Sequence, residues 1–236
     1  MPVGEGGVRS RVRAALTAEI LDVARDHLAR DGAAALSLRA VARDVNLVPS
    51  ALYRYYPGRD ALLSALILDG YSSLADASEV ADPGPRKDGR VRWVAVSEGI
   101  RAWALARPHE WSLLFGSPVP GYQAPEETVL YYARIAGALA APVRDAHAAG
   151  TLALPELTAH TSRTVDAATV PVADGLLPGA PRAVAAAVLL AWEQLIGAVS
   201  LEVFGHWRNT VLDPAALFTH TARQTAALVG LGAPKP

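Results

Sequence analysis

The chain has 236 residues, enough for one large domain or two small ones. Hydrophobic residues make up 51% of it and charged residues 19%, a balance typical of helices with wide buried faces. The absence of cysteine excludes disulfides and thiolate metal sites, and the formal net charge of −1 gives no overall signal for nucleic acid.

The N-terminal segment is basic and rich in glycine, and it lacks the apolar core of a signal peptide. Arg9, Arg11 and Arg13 are spaced to contact phosphates or a minor groove, although a solvated tail is an equal alternative. We therefore expect residues 1–13 to form a flexible basic arm. The first 60 residues hold nine Arg against seven Asp or Glu, which suggests a modestly basic head on an acidic body.

The first predicted helix spans Thr17–Asp31. Ile20, Ala24 and Leu28 recur at helical spacing and form its inner face, and Gly32 ends it. His27 is expected on the surface.

The stretch 36–56, LSLRAVARDVNLVPSALYRYY, predicts a helix, a tight turn and a second helix. Ser37 is a favourable N-cap residue, and Asn46 tolerates the left-handed backbone conformation that ends a helix. Pro49 suits the first turn of the second helix, where its missing N–H costs nothing. The pattern therefore predicts a helix-turn-helix.

The outward face of the second helix indicates its role. Leu52 and Tyr56 lie four residues apart and are expected to pack inward, which leaves a face suited to a major groove, made by Pro49, Ser50, Tyr53 and Arg54. Four arginines surround that face against one aspartate, and such charges supply much of the affinity for a phosphate backbone.

From about Thr17 to Leu74 the sequence resembles the DNA-binding domain of the TetR family of transcriptional regulators. The run Leu52-Tyr53-Arg54-Tyr55-Tyr56, followed by Arg59 and an apolar helix, is similar to the most specific signature of that family. The family usually has Gly in the turn, where this chain has Asn46. Because of this resemblance, we expect contacts to DNA base edges from Arg39, Pro49, Ser50 and Tyr53. We expect contacts to the DNA backbone from Ser37, Arg54, Tyr55 and Arg59.

The domain boundary is predicted after a fourth helix, Asp60–Ala77. The resemblance implies that this helix joins head to body and that its tilt transmits a ligand signal. Residues 78–89 contain Pro83, Gly84 and Pro85 and are predicted to be a linker. We therefore expect a DNA-binding domain over residues 14–77 and a ligand-binding and dimerisation domain over residues 90–230.

The remaining chain predicts only helices and loops, so the expected fold class is all-α, an N-terminal three-helix helix-turn-helix head plus a helical body. Predicted helices span 90–106, 109–116, 126–149, 154–168, 182–204 and 214–229, with a loop over 171–181. The phrase RPHEWSLLFGSPVPGY is similar to one found in the ligand-binding body of some TetR-like regulators.

The helix predicted over 182–204 is the most apolar stretch. Glu193 and Gln194 at its middle argue against a membrane span, so we expect a soluble, cytoplasmic protein without membrane association. The resemblance implies a homodimer in which the helices over 182–204 and 214–229 pair with their copies.

A small-molecule pocket in the body is the second functional expectation. Its candidates are aromatic residues and histidines on predicted inner faces, and ordinary core packing is the alternative for each: Trp103, His109, Trp111, Phe115, Tyr122, Tyr132, His160 and Trp192. Glu193 is either a polar anchor for the ligand or a residue that faces solvent or the partner subunit. As a set, these residues favour a largely apolar or aromatic ligand.

The predicted function is a ligand-responsive repressor that binds double-stranded DNA at a near-palindromic operator, with activation left open. The six histidines show no metal spacing, and the sequence has no phosphate-binding loop or nucleophile elbow, so we expect neither an enzyme nor a cofactor. A small-molecule carrier or protein-interaction module without DNA binding is the alternative.

Overall fold

The computed structural model describes the backbone of residues 5–232 and the side chains of residues 10–232. These residues form twelve α-helices, one short 3-10 helix and no strand, which confirms the predicted all-α class. The 3-10 helix is Ala33–Ala35, and the α-helices are α1 (Glu5–Asp31), α2 (Leu38–Asp44), α3 (Pro49–Leu52), α4 (Arg59–Ala81), α5 (Gly89–Ala106), α6 (Pro108–Phe115), α7 (Thr128–Ala148), α8 (Glu156–Ala159), α9 (Arg163–Ala168), α10 (Val170–Leu176), α11 (Arg182–Val203) and α12 (Pro214–Leu228).

The chain divides into two compact units that differ from the expected domains. Among the described residues, the head unit comprises those through Tyr71 together with Pro108–Thr128, and the body unit comprises Ser72–Arg107 and those from Val129 onward. The sequence had placed all of residues 90–230 in the body. The segment 108–128 joins the head because Leu113, Leu114 and Tyr122 pack against the apolar core there. Helix α4 also extends to Ala81, so the predicted linker is partly helical.

The head core follows the predicted helical spacing. Ile20 and Ala24 of α1, Val41 of α2, Leu52 of α3 and Leu63 of α4 are all fully buried. Helices as short as α2 and α3 are not stable alone. These buried side chains therefore hold the two helices in place.

Helix α1 is longer than predicted. It begins at Glu5, so most of the segment expected as a flexible arm is helical. Arg11, Ala14 and Leu16 are strong helix formers, and no proline interrupts the run. Residues 1–4 and the side chain of Arg9 lie outside the described residues.

The body unit is built around α5, α11 and α12. Trp93, Val96 and Ile100 of α5 are buried, and the Trp93 indole N–H donates a 3.0 Å hydrogen bond to Thr225 Oγ1 of α12. Among the described residues, α11 is the one helix long and apolar enough to cross a membrane by length and composition. Much of α11 is instead buried inside this unit, including Val184, Leu195 and Val199.

The segment between α7 and α11 differs from its prediction. The single helix expected over 154–168 is broken, because His160 is extended and the Ser162 hydroxyl caps α9 by accepting from the Val165 N–H at 3.3 Å. Leu157 of α8 is 85% exposed. The expected loop 171–181 contains α10, in which Pro171 occupies the first turn.

Candidate DNA-binding surface and ligand cavity

The turn between α2 and α3 has the predicted left-handed residue. Asn46 has φ 57°, and its N–H donates to the Arg43 carbonyl at 3.1 Å. Ser37 precedes α2 with an extended backbone, but its side chain makes no capping hydrogen bond. The Ser37 hydroxyl is therefore exposed rather than committed to the helix end.

Helix α3 presents the predicted face to solvent. Pro49, Ser50 and Arg54 are exposed and Tyr53 is 45% exposed, whereas Leu52 and Tyr56 are buried. The α-helical part is short, and turns continue the chain through Tyr55, which is half-buried. The inward and outward assignment made from the sequence is confirmed for these residues.

The arginines around α3 differ in whether their side chains already make contacts within the chain. The Arg39 side chain is exposed and makes no ion pair or hydrogen bond among the described residues. Arg59 instead donates from Nη2 to the Ala33 and Ala34 carbonyls at 2.8 and 3.3 Å. Arg59 therefore holds the 3-10 helix against the start of α4, and its predicted phosphate contact stays a prediction.

A buried histidine joins α1 to α2. His27, expected on the surface, is 4% exposed, and its Nε2 lies 2.8 Å from Asp44 Oδ2. Arg30 Nη2 lies 3.1 Å from His27 Nδ1, so the neutral tautomer with hydrogen on Nε2 satisfies both contacts. The hydrogen bond from His27, assisted by Arg43, holds the pKa of Asp44 below its ordinary value. The sequence did carry a signal, because His27 lies next to Leu28 and one turn after Ala24.

Side chains from α6 and the following loop secure this segment to the head. Arg25 of α1 bonds Asp69 of α4 at 2.7 Å and lies 3.8 Å from Glu110 of α6. The Tyr122 hydroxyl lies 2.9 Å from Ser64 Oγ of α4.

Four of the residues predicted to bind a ligand thus belong to the head unit. Trp111 is fully buried there and packs on Phe115 with ring centroids 4.3 Å apart, while His109 is exposed. Together with Tyr122, these residues lie in the segment that packs against the head core.

The body unit contains an apolar cavity of about 320 Å³ between α5, α7, α10 and α11. Its lining has no charged side chain and consists of Trp93, Val129, Tyr132, Ala133, Ala136, Leu139, Pro171, Val172, Gly175, Leu176, Val188, Leu189 and Trp192. The predicted residues Tyr132 and Trp192 meet here edge to face, with centroids 5.5 Å apart. Burial raises the pKa of the Tyr132 hydroxyl, which favours its neutral form.

Other predicted ligand contacts in the body unit lie away from this cavity. The Trp103 indole N–H donates to Ser73 Oγ of α4 at 3.0 Å, and His160 and Glu193 are exposed. Sequence reasoning missed Trp93 and the whole α10 wall. Trp93 is an aromatic residue of the helix predicted over 90–106, as is the chosen candidate Trp103, whereas α10 had been expected to be a loop.

Comparisons with known proteins match both parts of the chain. Residues 20–66 match the family described as bacterial regulatory proteins, tetR family, and residues 93–225 match the family of tetracyclin repressor-like C-terminal domains. The HTH-type transcriptional regulator Rv1816 of Mycobacterium tuberculosis is 37% identical over 229 residues, covering 94% of this chain and 96% of the relative.

Solved structures agree with this result. A crystal structure of the regulatory protein SCO4313 is similar with a TM-score of 0.75 and 33% identity, covering 92% of this chain and 97% of the other. A regulatory protein of the tetR family from Rhodococcus RHA1 shares the fold with a TM-score of 0.63 at 17% identity, covering 91% of this chain and 97% of the other.

Proposed function

The chain belongs to the TetR family of transcriptional regulators, and from this premise we propose that it is a ligand-released repressor. As a homodimer it binds a near-palindromic operator, and it leaves that operator when a small apolar molecule fills the body cavity. A cytoplasmic location follows from this role. The observation that carries the ligand-released part is the cavity of about 320 Å³ with its uncharged lining.

The exposed face of α3 supports the DNA-binding half of the proposal. Ser50 and Tyr53 offer hydroxyl groups to base edges, and Arg39 and Arg54 carry charges that no carboxylate neutralises among the described residues. Two copies of this face, one per protomer, fit half-sites about one helical turn apart, which explains why the proposed operator is near-palindromic.

The chemistry of the cavity defines the proposed ligand. Its volume is at the lower end of the roughly 300–1,000 Å³ usual for small-molecule sites. A charged ligand would be left without a partner inside this lining, and an unpaired charge is costly to bury. We therefore expect a neutral, apolar or aromatic molecule, with the edge of Tyr132 or Trp192 against its face.

Apolar residues exposed on α11, directly after its end and on α12 support the homodimer. In the single chain Leu190 is 47% exposed, Phe204 43% and Leu217 39%. Burying such side chains at a subunit contact removes apolar surface from water, which favours association.

Helix α4 links the proposed DNA binding by the head unit to the proposed ligand binding by the body unit. Its first half contributes Leu62 and Leu63 to the head core, and its second half contributes Ser73 and Glu79 to contacts within the body unit. A ligand shifts the DNA-bound and released states only by its difference in affinity between them. The proposed ligand thus binds the released state more tightly.

The proposal is tested first by DNA binding. Fluorescence anisotropy with labelled fragments of the DNA upstream of the gene compares wild type with Tyr53→Ala, and Val80→Ala in the body unit serves as the matched surface truncation. We expect tight, salt-sensitive binding that Tyr53→Ala loses and Val80→Ala keeps. A folded dimer that binds no fragment would instead favour the small-molecule carrier.

The ligand half has its own test. A library of neutral aromatic and aliphatic compounds is screened for a rise in melting temperature and then for release of the bound fragment. We expect Ala136→Phe, which fills the cavity, to keep DNA binding and abolish both responses. Compounds that still release DNA from the filled variant would contradict the assignment of this cavity.

A further inference from the structure

Two arginines from separate elements of the head unit line one small cleft. Arg13 comes from the N-terminal part of α1, and Arg54 follows α3. The cleft has a volume of about 220 Å³, and its other lining residues are Leu16, Leu47, Ala51 and Tyr55. It therefore combines two cationic side chains with a mostly apolar wall.

Arg13 is placed there by an aromatic contact rather than by an ion pair. Its guanidinium carbon lies 5.3 Å from the centroid of the half-buried Tyr55 ring. A cation–π contact orients a guanidinium without neutralising its charge. Neither Arg13 nor Arg54 pairs with a carboxylate among the described residues, in contrast to Arg25 and Arg43, which do.

We propose that this cleft binds a phosphodiester of the DNA backbone and that Arg13 is a DNA contact contributed by the N-terminal extension of α1. The guanidinium is the side chain best suited to a phosphate, because it donates several N–H groups in one plane. The apolar walls formed by Leu16 and Leu47 lower the local dielectric and strengthen this attraction.

The position of the cleft favours backbone phosphate over a free anion. The exposed residues Tyr53 and Arg54 come directly after α3, so an anion between Arg13 and Arg54 would lie beside the groove into which α3 is proposed to dock. Contacts of this kind fix the register of a protein on DNA without reading its sequence. The inference rests on the proposed DNA binding and adds a residue that the helix-turn-helix pattern does not contain.

The test measures the salt dependence of binding to a mixed-sequence 30-base-pair duplex, which requires no knowledge of the operator. Arg13→Gln removes one charge from the cleft, Arg13→Lys keeps it, and Arg86→Gln removes an exposed charge from the body unit. For Arg13→Gln we expect the slope of log K against log salt to fall by about 0.9 and affinity at 0.1 M salt to fall roughly eightfold, equally for unrelated sequences. Arg13→Lys should restore most of the slope, and Arg86→Gln should leave it unchanged.

Several outcomes would overturn the inference. An unchanged slope for Arg13→Gln would show that Arg13 makes no contact with DNA, and an equal loss of slope in Arg13→Lys would show that the loss does not come from the missing charge. If 10 mM inorganic phosphate raises the melting temperature of wild type but not of Arg13→Gln, while the slopes agree, the site belongs to a free anion. Failure of wild type to bind any duplex would instead count against the proposed function.

Discussion

Arg134 of α7 binds Glu79 of α4 through two parallel hydrogen bonds, from Nε to Oε1 at 2.9 Å and from Nη2 to Oε2 at 2.7 Å. The same Nη2 reaches Asp76 Oδ1 at 2.6 Å. The two carboxylates raise the pKa of Arg134 above its ordinary value. An isolated exposed ion pair contributes little, but a bidentate arginine with two carboxylates is the geometry in which such a pair has a measurable effect.

The first prediction concerns this contact. Arg134 shares α7 with Tyr132 and Ala136, which line the cavity, so a shift of α7 would move the charges that hold α4. We expect Arg134→Gln to lower the free energy of unfolding by only about 0.5 kcal/mol, because the arginine is partly exposed. The ratio of DNA dissociation constants with and without ligand should fall about threefold, which is a loss of part of the usual coupling energy.

The control for this prediction is Arg163→Gln, which removes an exposed charge from the same unit. Anisotropy titrations with and without a compound found by the screen give the ratio for each variant. If Arg134→Gln loses the predicted stability but its ratio equals that of wild type, the contact has only a structural role.

The second prediction concerns the backbone at Asn46, where φ is 57°. Glycine adopts this conformation without strain but gains freedom in the unfolded chain, so Asn46→Gly should change the free energy of unfolding by less than about 0.5 kcal/mol. Asn46→Ala should lower the free energy of unfolding by about 1 kcal/mol, because alanine has neither the conformational freedom of glycine nor the tolerance of asparagine for the left-handed region. Urea unfolding measures both, and equal stability of the two variants would show that the turn relaxes to accommodate alanine.

Local patterns predicted the helix-turn-helix well because they act within a few residues. The helical spacing correctly separated buried Leu52 from exposed Tyr53, and the turn chemistry correctly placed Asn46 in the left-handed region. The candidates Tyr132 and Trp192 line the cavity for a similar reason, since each lies on the inner face predicted for a long helix.

The features that were missed depend on partners distant in sequence. Tyr122 meets Ser64, which is 58 residues earlier, and no local pattern assigns α6 and its loop to the head unit. His27 was expected at the surface because its partner Asp44 lies 17 residues away on another helix.

Helix α10 was missed for a different reason. Its proline and glycine are typical of loops, although Pro171 suits a first turn.

The third prediction is the pH dependence that follows from the His27–Asp44 contact. The lowered pKa of Asp44 contributes stability that is present above the unfolded-state pKa of about 3.9 and is lost as the pH falls through the folded-state pKa. Asp44→Asn should therefore be less stable than wild type at pH 7, and the difference should shrink below about pH 4. Urea unfolding across this range measures it, with Asp26→Asn, an exposed carboxyl on α1, as the control. A difference that stays constant with pH would exclude a charge-dependent contact.

The fourth prediction concerns Arg92 of α5, whose side chain is 5% exposed. Its guanidinium donates to Asp82 at 2.9 and 2.8 Å and to Asp145 at 2.5 Å, which ties the loop after α4 to α5 and α7. The hydrogen bonds from Arg92 lower the pKa of Asp82, so this stabilisation should also be lost as the pH falls below about 4.

Replacing Arg92 leaves Asp82 largely buried without its cation, whereas Asp145 is 56% exposed and can turn to water. We expect Arg92→Met to lower the free energy of unfolding at pH 7 by about 2 kcal/mol, less than the roughly 3–5 kcal/mol found when a fully buried pair is broken. The matched control is Arg90→Met on the same helix, whose side chain is exposed and should cost less than about 0.5 kcal/mol. Thermal unfolding at pH 7 compares the two, and an equal loss in both variants would show that the buried pair adds nothing beyond surface charge.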